Sequence, residues 1–206
     1  MSMRPLYAVL LDGGFVVKKL QQTNKHFPTA DEIEALCVSI AARTEFANYE
    51  LLRNYFYHAT PATGILLNPL DGSKIDLSGT KIHTQHESLI NRLEMKPYFA
   101  VRLGETVTHE WRLGSSAMKS LMQTPRAVQP SDLVPNISQK GVDLRIGLDI
   151  ARLALREVVR ALVVVTGDSD LVPAFKFARR EGVRVFLECL GHGVRRDLKV
   201  HVDFVL

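Results

Sequence analysis

Four aspartates are the residues of this 206-residue chain whose type and setting could do chemistry. Asp12 directly follows an apolar run at residues 6–11. Asp168 and Asp170 follow another, residues 161–165, across Thr166 and Gly167. Asp143 opens a helical pattern after Lys140-Gly141-Val142, and Asp149 lies within the same pattern. Carboxylates gathered at one place repel each other and raise one another's pKa, a penalty that a divalent cation removes. Hard oxygen ligands suit Mg²⁺ or Mn²⁺. An ion so held lowers the pKa of a bound water and stabilises charge developing on a phosphate, which is chemistry suited to phosphodiester hydrolysis. It needs no Ser-His-Asp or Cys-His arrangement, and the sequence offers none. Thr166 and Ser169 could bond a metal-bound water. Each carboxylate also has a plainer reading: Asp168 with Asp170, and Asp143, as helix caps, Asp12 as the end of a strand, and Asp149 as a structural residue. Independent caps, however, would not require several carboxylates to lie at one sheet edge.

To meet, these residues need elements that bring distant segments together. The apolar runs at residues 6–11, 161–165 and 183–187 each stop at a polar or glycine-rich turn. They read as parallel strands buried by helices on both faces, because such strands are continuously apolar. Residues 171–181 place Leu171, Ala174, Phe175 and Ala178 at helical spacing before Gly182, which makes a βαβ unit with the flanking strands. Loops and helix N-termini of parallel sheets converge at the carboxyl ends of the strands, where Asp12, Asp168 and Asp170 fall. Residues 31–48 predict an amphipathic helix, 49–58 a strand, 81–93 a helix and 98–103 a strand. Residues 104–114 read as a hairpin, and the segments near 59–80 and 123–139 as long loops. Residues 142–159 predict a helix apolar nearly all round, packed on several sides and able to serve in part a homodimer interface. A short strand closes the chain at residues 202–206. No repeat or linker divides residues 1–206, which read as one α/β domain.

At 46% hydrophobic and 23% charged, the composition is that of an ordinary globular chain. A chain this long buries roughly 70% of its unfolded surface and needs no metal or disulfide for a core. It has no run of about 18 apolar residues to span a membrane. Residues 6–11 are too short for a signal peptide, so a soluble, cytoplasmic protein is expected. Cys37 and Cys189 lack zinc-type spacing and read as buried thiols. The net charge is +4, and residues 176–206 hold +3 of it. There, Gly191-His192-Gly193 with Arg195 and Arg196 offers backbone N–H groups and two guanidinium groups to phosphates, a solvated basic turn being the alternative. Lys140 stands near Asp143 and could contact a phosphate chain. His83 and His86, three apart on a predicted helix, read as surface histidines.

Other acidic α/β chemistries fit less well. A haloacid-dehalogenase phosphatase wants a second Asp where Gly14 stands, a receiver domain wants an acidic pair where only Asp12 is present, and no P-loop run exists. The ordered pieces Leu10-Leu11-Asp12-Gly13-Gly14-Phe15, Lys140-Gly141-Val142-Asp143 with Asp149, Val163-Val164-Val165-Thr166-Gly167-Asp168-Ser169-Asp170, and Arg184-Val185 after Gly182 resemble the NYN domain family. This is a branch of the PIN-like nucleases that includes the LabA/DUF88 group, and the ending at residues 198–204 is similar as well. The resemblance implies a three-layer α/β/α sandwich around a mainly parallel sheet. It also implies a metal-dependent ribonuclease site built from Asp12, Asp143, Asp168 and Asp170. One departure is Phe15, near where many NYN members carry an Asn whose amide could orient a metal-bound water or the substrate. The expectation is therefore a Mg²⁺- or Mn²⁺-dependent endoribonuclease acting on single-stranded or flexible RNA. A non-catalytic RNA-binding or regulatory module of the same fold is the alternative, and a small-molecule phosphatase a third class.

Overall fold

A computed structural model describes residues 4–206. The run from Tyr7 to Leu11 is buried throughout and forms most of β1 (Leu6–Asp12). It is followed by α1 (Gly13–Asn24), α2 (Ala30–Ala41), β2 (Glu50–Ala59), a hairpin of β3 (Ile65–Leu67) and β4 (Lys74–Asp76), and α3 (Lys81–Glu94). β5 (Phe99–Leu113), α4 (Ser115–Gln123), β6 (Leu133–Lys140) and α5 (Val142–Leu155) come next. β7 (Ala161–Val165), α6 (Val172–Arg180), β8 (Arg184–Glu188), α7 (Arg196–Val200) and β9 (Phe204–Val205) complete the chain.

The central sheet runs β6-β5-β2-β1-β7-β8-β9, and every neighbouring pair is parallel except β5 with β6. Alternate residues of β1 serve opposite layers. Ala8 and Leu10 pack with Ile146, Ile150 and Phe175 of α5 and α6, while Tyr7, Val9 and Leu11 pack with Val16, Ile33, Ile40 and Leu93 on the side of α1, α2 and α3. The result is the expected three-layer α/β/α sandwich around a mainly parallel sheet.

Where the structure departs from the sequence reading, remote pairing is the reason. Residues 104–114 are not a hairpin: β5 is one continuous strand whose first part pairs with β2 and whose remainder pairs with β6. Gly104 permits this, since a Cβ there would lie 2.6 Å from the carbonyl oxygen of Lys140. The segment 123–139 is therefore no long loop. It contains most of β6, and the turn before the strand is clamped by a two-pronged ion pair from Arg126 to Asp132, at 2.6 and 2.7 Å, which holds the aspartate at about 2. The segment 59–80 contains the β3–β4 hairpin, tied to the ribbon by a hydrogen bond donated from the indole of Trp111 to the Leu67 carbonyl, 2.7 Å. The helix expected over 31–48 stops at Ala41, and Phe46 turns inward to stack on Tyr7 at 4.8 Å. α5 ends at Leu155 and is packed on one face only: Ile146 and Ile150 are buried, whereas Leu144, Leu148 and Leu155 are exposed.

The step from β1 into α1 leaves no room for a side chain at its first helical residue. A Cβ on Gly13 would sit 2.5 Å from the Tyr57 carbonyl oxygen, whereas one on Gly14 would meet nothing closer than 3.5 Å. Gly13→Ala is therefore expected to lower stability by about 1–3 kcal/mol in urea unfolding, with Gly14→Ala closer to the parent.

Candidate active site

The parallel register places Leu11 of β1 beside Val165 of β7, so Asp12 and Thr166 emerge side by side at the carboxyl edge of the sheet. The Asp12 carboxylate is fixed from both strands. Its Oδ1 accepts the Phe15 backbone N–H at 3.1 Å, capping α1, and its Oδ2 accepts the Thr166 hydroxyl at 3.0 Å. The Thr166 oxygen in turn accepts the backbone N–H of Asp168 at 3.1 Å, and Asp168 Oδ1 accepts the N–H of Asp170 at 2.9 Å. Asp12 and Asp168 are thus caps, and the capping bonds hold their carboxylates in place at the edge. Each oxygen retains a lone pair for a further partner.

Asp143 arrives from elsewhere. β6 returns along the outer half of β5 to the sheet edge, Gly141 reverses the chain in the left-handed region (φ 74°), and Asp143 falls in the first turn of α5. Burial raises the pKa of Asp12, and the charges of Asp143 and Asp168 raise it further against the lowering effect of its two hydrogen bonds. Asp143 is also raised, by partial desolvation and then by Asp168 and Asp170. Asp12 is thus coupled in charge to Asp143 and Asp168, and Asp143 to Asp168 and Asp170. Among the described residues no group of three or more His, Cys, Asp or Glu side chains is arranged to hold a metal ion. The donor set is nonetheless all hard oxygen, which fits a cation that keeps several of its waters.

Cations and an aromatic ring face the carboxylates. A cleft of about 490 Å³ is lined by Asp12, Phe15, Lys18, Asp168, Ser169 and Arg195, among others. The Lys19 ammonium donates to His192 Nδ1 at 2.9 Å and lies 5.9 Å from the centre of the Phe15 ring. Phe15 covers Gly167 so closely that a Cβ there would stand 2.7 Å from the ring. The loop carrying His192 and Arg195 is anchored where buried Glu188 pairs with Arg43 at 2.9 Å and accepts the Leu190 N–H at 2.8 Å.

Not every residue singled out from the sequence meets here. Asp149 is engaged away from the edge, accepting the Tyr57 hydroxyl at 2.9 Å and Arg102 at 3.3 Å, and its charge together with burial pushes the Tyr57 phenol up. Lys140 and Arg196 are exposed, and of the two arginines Arg195 is the one that lines the cleft. Lys18 and Lys19 are not marked by the sequence reading, which has His192 only within its basic turn. The helical spacing of Lys18 and Lys19 three and four residues after Phe15 was the available signal. His83 and His86 are not surface histidines: both are partly buried, and His86 Nδ1 lies 2.6 Å from Nε2 of buried His58.

Residues 100–198 match the family model of the NYN domain. Asp143, Asp168 and Asp170 fall within that span, and Asp12 lies outside it. Among solved structures, a protein of unknown function from Vibrio parahaemolyticus is similar at a TM-score of 0.56 and 13% identity, over 100% of this chain and 95% of that one. A structure of Phytolacca americana UGT2, complexed with UDP-2fluoro-glucose and pterostilbene, is similar at a TM-score of 0.34 and 13% identity, over 91% of this chain and 31% of that one. No curated protein matches the chain. No helix among the described residues is long and apolar enough to cross a membrane.

The raised carboxyl of Asp143 makes its ionised form unfavourable to the fold. That penalty is complete above its folded pKa and fades as pH falls toward the unfolded value of 3.8. In metal-free protein, Asp143→Asn is expected to raise the melting temperature at pH 7, and the gain should shrink as the pH approaches 4. An equal gain at both pH values would show that the ionisation of Asp143 is not its source.

Proposed function

Starting from residues 100–198, which match the NYN domain, a branch of the PIN-like nucleases, we propose that the chain is a metal-dependent endoribonuclease. The observation that carries this reading is the hydrogen-bonded run Asp12–Thr166–Asp168 at the carboxyl edge, coupled in charge to Asp143, which is itself coupled to Asp170, and faced by cations. In this reading Asp12, Asp143, Asp168 and Asp170 hold Mg²⁺ or Mn²⁺. The bound ion supplies Lewis acidity toward the phosphate and offsets charge developing on its oxygens. Thr166 keeps Asp12 oriented, and Ser169, on the wall of the cleft, is placed to bond a water there.

Lys18 and Arg195 draw the phosphate backbone into the cleft, with Lys140 and Arg196 extending the positive path outside it. The substrate is single-stranded or flexible RNA, since a strand must bend to bring one phosphate to this edge between the His192 loop and α1. Asp149 acts one step removed: by receiving Tyr57 and Arg102 it fixes α5 against β2 and β5, and so fixes where Asp143 enters the site.

Phe15 favours a second reading, a non-catalytic RNA-binding module. It stands where an amide would be useful, and its ring is occupied by Gly167, His192 and Lys19. One experiment separates the two. Purified protein is expected to cleave a labelled single-stranded RNA with Mn²⁺ or Mg²⁺ and to stop with EDTA. The Asp12→Asn, Asp168→Asn double variant should lose more than about a hundredfold in rate, beyond what loss of a supporting contact to a ligand costs. Equal cleavage by parent and variant would refute the assignment, and salt-dependent binding without cleavage would favour the module.

A further inference from the structure

Beside the carboxylate cleft lies a second cavity, of about 420 Å³, with a different chemistry. Its floor is the end of β2 and the β5–β6 ribbon, and its roof is the start of α3 with the β3–β4 hairpin. No Lys, Arg, Asp or Glu lines it. The walls are mainly alkyl groups, including Ile82 and Ile137, interrupted by three imidazoles, three threonines and the amide of Gln139. A mainly apolar cavity of a few hundred Å³ with a small number of polar groups is the usual form of a site for a small organic ring system.

The imidazoles are held in place. The carbonyl of Ala62 can only accept, so His83 Nδ1 donates to it, at 2.9 Å. His58 and His86 share a contact at 2.6 Å, and burial lowers the pKa of both, His58 to about 4, which keeps this pair uncharged at neutral pH. His58 Nδ1 is buried with no partner. A bare acceptor is less costly there than a bare N–H. The shared proton is therefore donated from His58 Nε2 to His86 Nδ1, leaving His86 with Nε2–H as its second donor. A cavity walled without Lys, Arg, Asp or Glu, and with imidazole edges, disfavours a phosphate or carboxylate and suits a planar, neutral heteroaromatic ring.

Gln139 joins this cavity to the acidic cleft. It lines the cavity, and its Oε1 comes within 3.7 Å of the position a Cβ on Gly14 would take, a position 3.5 Å from Asp12 Oδ1. Gly14 is itself a wall of the cleft. We infer that the cavity is a base-recognition site, taking the nucleobase of a nucleotide whose phosphate is held at the acidic edge. This rests on the nuclease reading of that edge and adds to it a place where the identity of a base is read, through the exchangeable donors and acceptors of His83, His86 and Gln139.

The test uses the full chain in EDTA, so that it needs neither metal nor turnover. Histidine ring signals are followed by NMR during titration with the four 5′-nucleoside monophosphates, ribose 5-phosphate, and a short single-stranded oligoribonucleotide. The His83 and His86 signals should shift with nucleoside monophosphate and oligonucleotide but not with ribose 5-phosphate. Ile137→Trp, which adds bulk at an exposed rim position, should weaken nucleoside monophosphate binding by about tenfold or more, and Gln139→Ala should change the order of preference among the four bases. Tighter binding of the oligonucleotide would make the occupant a base within a strand, and equal binding a free nucleotide; either supports base recognition. Shifts as large with ribose 5-phosphate, or unchanged affinity and preference in both variants, would overturn it. Because the readout is binding without metal, a chain that binds bases but cleaves nothing would remove the nuclease reading and leave this one standing.

Discussion

The Asp12 carboxylate is the joint on which the edge of this sheet turns. One oxygen closes the first turn of α1 and the other receives a hydroxyl from the neighbouring strand. The same hydroxyl oxygen receives the N–H of Asp168, so the orientation of one acidic loop is passed to the next through a single threonine. This is a costly place for a charge. Burial and two neighbouring carboxylates oppose ionisation, and two hydrogen bonds favour it. A fold that holds a carboxylate under such opposed influences favours a positive partner, and among the described residues Asp12 forms no ion pair.

The second constraint is the β5–β6 ribbon. β5 outruns β2, its parallel partner, and continues beyond the sheet edge, where only a strand returning antiparallel can pair with it. That return delivers the chain to Gly141 at the edge and starts α5 there, which is how a residue 131 positions after Asp12 in the numbering comes to face it. The same helix carries Asp149 nearly two turns further on, where Tyr57 and Arg102 are its partners. Two carboxylates on one helix therefore play unlike parts, one at the site and one bracing the helix that carries it. The ribbon also floors the histidine-lined cavity, so one element shapes both the charged and the uncharged compartment.

Charge is distributed accordingly. The small net charge of +4 conceals a negative edge and the cations that face it from α1 and from the loop after β8. Phe15 sits between them, its ring against Gly167 and the Lys19 ammonium near its centre. The aromatic side chain packs against Gly167 and beside His192 on the wall of the cleft, where it offers no amide.

Much of this was legible in the residue order. The continuous apolar runs ending at Asp12 and before Asp168 identify parallel strands, and Asp31 and Glu32 mark the start of α2, where Thr29 and Glu32 form a capping box. Both are local signals, carried by burial on two faces and by side chains that bond their own helix. That Asp12, Asp168 and Asp170 share an edge was legible for the same reason, as they follow parallel strands, whereas Asp143 reaches it only through the β5–β6 return. What the sequence could not disclose depends on partners far along the chain. Gly104 looks like a turn residue until the Lys140 carbonyl is seen pressed against it. Residues 133–140 look like loop because Pro130 precedes and Pro135 interrupts a strand whose pairing comes from β5. His58 and His86 look unrelated because 28 positions separate them. By itself the sequence determined the layers, the parallel strands and the carboxylates at their ends, since periodicity and capping act within a few residues. Only the tertiary structure decided which carboxylate faces the site and which braces a helix, and that an uncharged, imidazole-lined cavity opens beside it, because those outcomes depend on long-range pairing that no local pattern encodes.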